Sequence, residues 1–170
     1  ILSEDEVEAK VREGRREAEA AFGNGEGYLE KMIQRARHVE VQILGDKHGN
    51  IYHLWERDCT VQRRNQKVVE RAPAPYLTAE QRAEVCEMGK RICQHVNYEC
   101  AGTVEFLMDM DDQKFYFIEV NPRVQVEHTV TEQVTGVDLL HTQLKLAAGQ
   151  SLEQLGLLQP PLLNGCAVQL

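Results

Sequence analysis

Val39, Val41 and Ile43 alternate with His38, Glu40 and Gln42, a period of two that predicts a strand with one half-exposed face. Asp46 to Asn50 supply a turn, and Ile51 to Glu56 read as the returning strand of a hairpin. Gln66 to Arg71 form a further candidate strand. A helical period appears earlier. Ser3 and Glu6 have the spacing of a capping box, and Val7, Val11, Ala18 and Phe22 continue as a stripe that Gly23, Gly25 and Gly27 end. Tyr28 to Ile33 read as a short strand. Thr78 with Gln81 caps a second helix with the stripe Val85, Met88, Ile92 and Val96. Gly102 to Met108 and Phe115 to Val120 predict a second hairpin. A last stripe, Val137, Leu140, Leu144 and Ala147, ends at Gly149; a loop with Pro160, Pro161 and Gly165 then leads to another strand. Antiparallel hairpins mixed with helices indicate an α+β fold.

One stretch has a different character. From Ile118 to His128 the polar residues are Glu119, Asn121, Arg123, Gln125 and Glu127, separated mostly by Val and Ile. An extended chain places alternate residues on one side, so this row predicts two carboxylates, two amides and a guanidinium on one surface. Such a mixture suits a metal ion and an anion. If the second hairpin turns near Asp112, Glu105 stands opposite Glu119 on the same face. Facing carboxylates repel unless a cation sits between them, and hard oxygen ligands favour magnesium or manganese. The alternative is a protonated or solvated acid pair.

The net charge of −8 over 170 residues argues against general nucleic-acid binding. A local basic run, Arg57, Arg63, Arg64, Lys67 and Arg71 with Arg35 and Arg37 upstream, suits a small anion such as a nucleotide phosphate or forms a surface ion-pair patch. Five cysteines occur without any Cys-x-x-Cys pair, so a zinc site is not expected and reduced thiols in an intracellular setting are. Cys86 and Cys93 fall on the second helix and are expected to face a core. No apolar run approaches membrane length.

Three segments together carry a family resemblance: Arg37 to Gln42, Glu56 to Lys67, and Phe117 to Glu132. In this order and spacing they resemble the biotin carboxylase component of biotin-dependent carboxylases, within the ATP-grasp superfamily. The third segment is also shared with carbamoyl-phosphate synthetases. The resemblance implies an ATP-grasp carboxyl-terminal half, an antiparallel sheet flanked by helices. Residues 1–33 would be the end of the lid and a hinge strand, and residues 34–170 the catalytic subdomain. It implies adenine contacts at Glu30, Lys31 and Ile33, nucleotide contacts at His38, Gln62 and Asn65, and Lys67 near the phosphates and bicarbonate. It implies metal binding at Glu105, Glu119 and Asn121, a bicarbonate site at Arg123, Gln125 and the Val126 amide, and Glu127 as the general base.

The reaction so implied carboxylates carrier-bound biotin from ATP and bicarbonate through carboxyphosphate, with magnesium or manganese. The implied partners are a biotin carboxyl carrier domain and a carboxyltransferase, in an oligomeric parent that is cytoplasmic or mitochondrial. The acceptor could be pyruvate, an acyl-CoA or urea. Two departures stand out: Asn65 where the family often has His, and Thr129 where many members have Pro. The glycine-rich lid loop would precede Ser3 and an enolate-side arginine would follow Leu170, so the isolated chain is expected to be inactive. Other readings are a carbamoyl-phosphate synthetase half or a non-catalytic nucleotide-binding module.

Overall fold

The computed structural model describes residues 3–157 and 159–170. They fall into two compact units, Ile1–Met32 and Ile33–Leu170.

The first unit is built on one helix, α1 (Val7–Phe22), entered through a 3-10 turn at Glu4–Glu6. Ser3 is extended, but its side chain caps nothing, so the expected capping box does not form. Gly23 ends α1 in the left-handed conformation, its N–H bonded to the Glu19 carbonyl, an ending that favours glycine. No residue of α1 is buried. Tyr28 to Ile33 do not form the expected strand: the stretch takes no place in the sheet, and Tyr28, Leu29 and Met32 are exposed. Without a partner ladder, alternation alone cannot satisfy a strand's backbone groups.

The second unit is a six-stranded antiparallel sheet in the order β5-β4-β1-β2-β3-β6. Its strands are β1 (Ala36–Gly45), β2 (Ile51–Arg63), β3 (Gln66–Ala72), β4 (Cys100–Asp109), β5 (Phe115–Asn121) and β6 (Ala167–Gln169). Three helices accompany them: α2 (Ala79–His95), α3 (His128–Thr135) and α4 (Leu139–Ala147).

On one face, Val39, Val41, Ile43, Val104, Phe106 and Met108 pack with Val85, Cys86 and Cys93 of α2. A Cβ on Gly89 would stand 3.1 Å from Val41 Cβ, so this glycine sets how closely α2 approaches the sheet. The full capping box of Thr78 and Gln81 starts α2 as predicted. Val96 lies just beyond the helix and is 59% exposed, so the stripe ends earlier than expected.

The opposite face is divided. At one end Leu44, Leu54 and Ala101 pack with Leu139 and Leu146 of α4. The expected face of α4 was the wrong one, since Leu140 and Leu144 are exposed. Asp138 caps the helix through the His141 N–H, and the helix then turns Leu139 and Leu146 inward. Both leucine pairs satisfy the helical period, so periodicity could not choose between them. At the other end of the same face lie His38, Glu40 and Gln42. These were expected to be half-exposed, but Glu40 and Gln42 are fully buried.

Candidate functional site

The register of the sheet builds a row of charge. Arg57 on β2 pairs with Glu40 on β1, Glu40 with Glu105 on β4, and Glu105 with Glu119 on β5. Directly opposed residues of antiparallel strands share a face, so one guanidinium and three carboxylates line up across four strands. The expected pairing of Glu105 with Glu119 is therefore present. A bulge between β1 and β2, with Trp55 at φ 66°, separates this register from the one near the Asp46 turn.

The β2–β3 hairpin supplies a wall. Its two turn residues, Arg64 and Asn65, have φ values of 52° and 64°. A two-residue hairpin turn with both residues in the left-handed region favours Asn, which gives a backbone reason for Asn65. Past the turn, Gln62 faces Lys67. The opposite wall departs from the predicted extended row. The strand ends at Asn121, and residues 122–127 form an irregular loop that turns at 126–127 into α3. Gln125 and Glu127 are still buried, turned inward by this loop rather than by strand alternation.

These elements enclose a cleft of about 460 Å³ lined by His38, Gln62, Asn65, Lys67, Glu105, Glu119, Asn121, Arg123, Gln125, Val126 and Glu127 together with Gln66 and Glu70. Lys67 Nζ donates to three carboxylates: Glu40 Oε2 at 2.5 Å, Glu127 Oε1 at 2.6 Å and Glu105 Oε1 at 2.8 Å. Burial works against its charge, but Glu40, Glu105 and Glu127 outweigh burial and hold the ammonium well above the ordinary lysine range. Lys67 is thus a fixed cation, unsuited to accept a proton near neutral pH.

Glu105 Oε1 also accepts from Asn121 Nδ2 at 3.0 Å and Gln125 Nε2 at 2.9 Å. Burial would raise its pKa, yet His38, Lys67 and Gln125 together hold it well below the usual carboxylate range. His38 Nε2 lies 2.9 Å from Glu105 Oε2, a close contact rather than an aligned hydrogen bond. Gln62 Nε2 donates to the Cys59 carbonyl at 2.9 Å and sits 3.0 Å from His38 Nδ1. With Gln62 as donor, the His38 proton belongs on Nε2, facing Glu105. Glu70 is pushed upward, first by burial and then by Glu127 and Glu40.

Arg123 is exposed, and its guanidinium makes only a 3.4 Å contact with the Val124 carbonyl among the described residues. Gln125 Oε1 is buried with no hydrogen-bond partner there. The acid pair fits a hard divalent cation. Asn121 Nδ2 stands 3.0 Å from Glu105 Oε1 and 3.2 Å from Glu119 Oε1, so one donor already spans both carboxylates. Glu105, Glu119 and the Asn121 amide are the oxygen donors that could hold magnesium or manganese.

Three of the predicted contact residues lie at the junction of the two units. Glu30 and Lys31 fall in the first unit and Ile33 opens the second, and the hinge strand meant to carry them is absent. The basic run does not act as one patch either. Arg57 is fully buried, Arg71 pairs with Asp58, and Arg63 and Arg64 are exposed at the hairpin tip. Sequence reasoning gave Glu40 no part in the site and Arg57 only a place in the basic run, although both lie in the quoted segments. The strand partner that sets each side chain's role is not local information. Cys59 is buried, and burial drives its thiol far above the ordinary range, which leaves it inert despite nearby basic groups.

A family model described as "Carbamoyl-phosphate synthase L chain, ATP binding domain" matches residues 1–155. The chain belongs to this family. This ATP-binding domain is 54% identical over 170 residues to mitochondrial pyruvate carboxylase of Homo sapiens, covering 99% of the chain and 14% of that protein. Its structure superposes on Rhizobium etli pyruvate carboxylase, solved with the allosteric activator acetyl coenzyme A, with a TM-score of 0.89 at 57% identity, covering 99% of this chain and 15% of that one. It also superposes on the biotin carboxylase domain of Hydrogenobacter thermophilus 2-oxoglutarate carboxylase, solved with MgADP and bicarbonate. There the TM-score is 0.86 at 43% identity, with 98% of this chain and 36% of that one covered. The fold is that of the ATP-grasp biotin carboxylases, α+β with helices flanking an antiparallel sheet. The chain spans about one seventh of the curated relatives' length, 14% in the Homo sapiens protein.

Proposed function

We propose that this domain is the catalytic part of a biotin carboxylase, within a larger protein that carboxylates carrier-bound biotin from ATP and bicarbonate. One observation carries the reading: Glu105 opposes Glu119 across two strands while Lys67 joins Glu105 to Glu127 in the same cleft. A cation site, a fixed ammonium and a candidate base are thus within a few ångströms of one another.

Arg123 would hold bicarbonate, since a guanidinium fork suits a planar oxyanion. Glu127 would take its proton, with Gln125 and the Val126 amide orienting the anion. The freed oxygen attacks the γ-phosphorus of ATP, the bond to the β-phosphate oxygen breaks, and ADP leaves carboxyphosphate behind. Cleavage of the carbon–oxygen bond then gives carbon dioxide and phosphate. A divalent ion on Glu105, Glu119 and Asn121 would supply charge neutralisation at the phosphates. Lys67, His38, Gln62 and Asn65 would orient the nucleotide and phosphates, and the chemistry needs little beyond positioning and charge compensation. The phosphate released is a suitable base for the biotin nitrogen.

The 54% and 57% identity to pyruvate carboxylases, against 43% to a 2-oxoglutarate carboxylase domain, supports pyruvate as the acceptor of the whole protein. On that reading the domain works with a carrier domain and a carboxyltransferase, in an oligomeric intracellular assembly. The test is ADP formation by the full-length protein. It should require bicarbonate and rise with free biotin; dependence on ammonia instead of biotin would assign the domain to carbamoyl-phosphate synthesis.

A further inference from the structure

The cleft rests on a buried charge that touches none of its lining. Arg57 is fully buried, is absent from the cleft surface, and binds four side chains on three other elements. Its Nε donates to Glu40 Oε1 on β1 at 2.5 Å, and Nη1 donates to Gln42 Oε1 on β1 at 2.7 Å. Nη1 also reaches Thr131 Oγ1 on α3 at 2.9 Å, and Nη2 reaches Thr103 Oγ1 on β4 at 3.2 Å.

Two of these bonds lead to the reacting groups by different routes. Glu40 gives its other oxygen to Lys67, so the position of Glu40 sets the position of the ammonium. Thr131 lies in the first turn of α3, whose N-cap residue is Glu127. A guanidinium has five N–H donors in a rigid plane, so groups bound to it keep fixed mutual positions. Arg57 therefore ties the strand that holds Lys67's partner to the helix that begins at Glu127. The balance of charge points the same way. Glu40, Glu105 and Glu127 surround a single ammonium, and Arg57 supplies the second positive charge to the most deeply buried of the three acids.

We propose that Arg57 is a positioning residue for the carboxylation reaction, setting the Lys67–Glu127 geometry through Glu40 and Thr131 without touching any substrate. The proposal rests on the biotin carboxylase reading above. A merely structural buried arginine would affect stability alone, whereas a positioning residue also lowers kcat in the folded protein.

The test uses the full-length protein with Arg57→Lys and Thr131→Val. Arg57→Lys keeps a cation beside Glu40 but cannot make all four bonds; Thr131→Val removes only the link to α3. Both variants should fold, keep the KM for ATP within about threefold of wild type, and lose about tenfold or more in kcat for bicarbonate-dependent ATP cleavage. Combining Arg57→Lys with Thr131→Val should cost less than the product of the two single losses, because both disturb the same Arg57–Thr131 bond. Wild-type kcat in both folded variants would overturn the proposal, as would losses that match only the unfolded fraction. Crystal structures of the variants give a readout apart from activity: Lys67 Nζ and Glu127 should separate by about 1 Å or more, and unchanged positions would overturn the proposal. If the wild-type protein shows no bicarbonate-dependent cleavage, the functional reading fails, and those structures alone decide the positional claim.

Discussion

Glu105 accepts hydrogen bonds from Lys67, Asn121 and Gln125 and faces His38, so its charge is compensated from several sides. Its folded pKa lies below its unfolded value, and such a group adds stability that is present above the unfolded pKa and lost as pH falls through the folded one. Glu105→Gln should therefore melt lower than wild type at pH 7, and the gap should narrow below about pH 4, the ordinary carboxylate range. Thermal melts at both pH values check this, and a gap that widens in acid would contradict it. At the other acid, Glu127→Gln in the full-length protein should lower bicarbonate-dependent turnover by about 100-fold or more while leaving the fold intact. Wild-type turnover in that variant would remove Glu127 from the mechanism. Glu127 was singled out from the third segment, and Glu105 from the hairpin expected to set it opposite Glu119. Arg57 and Glu40 were not legible as site residues, since a strand read alone shows alternation and not what stands across from it.

At the scale of elements, the second hairpin was legible from its two apolar runs and the turn between them, but the register next to that turn would set Glu105 opposite Ile118; a shift between Glu105 and Phe106 brings it opposite Glu119, and no local pattern announces that shift. Strand alternation over-extended the row from Ile118 to His128. Glu127 reaches the cleft because the chain turns at residues 126–127 and starts α3, something alternation cannot describe. Helix α2 shows the local rules succeeding: the reciprocal bonds of Thr78 and Gln81 were predicted and are present. Thr78→Ala should cost about 1 kcal/mol of stability, read from denaturant unfolding, with little change in activity because the cap is far from the row of charge. Helix α4 shows them failing, since Leu140 and Leu144 were as apolar as the residues that became buried. For the β2–β3 turn, Asn65→Gly should preserve the hairpin, as glycine accepts the same φ; Asn65→Val should disturb Lys67 and weaken ATP binding, measured by titration calorimetry.

The second unit is a sheet whose α2 face is mainly apolar, with the buried Glu56 paired to Arg82 of α2, and whose other face changes from leucine packing to buried charge along the same strands. This division lets one strand, β1, serve both the apolar core and the charged floor of the cleft. The family and fold follow from residues spread over nearly the full chain, which explains why they were legible in sequence. The central claim concerns a single bond, from a bicarbonate oxygen to the γ-phosphorus of ATP, made in this cleft. Full-length protein given ATP and oxygen-18-labelled bicarbonate tests it directly by mass analysis of the phosphate released. Label transferred from bicarbonate into phosphate is the predicted result, and unlabelled phosphate formed during active turnover would contradict it.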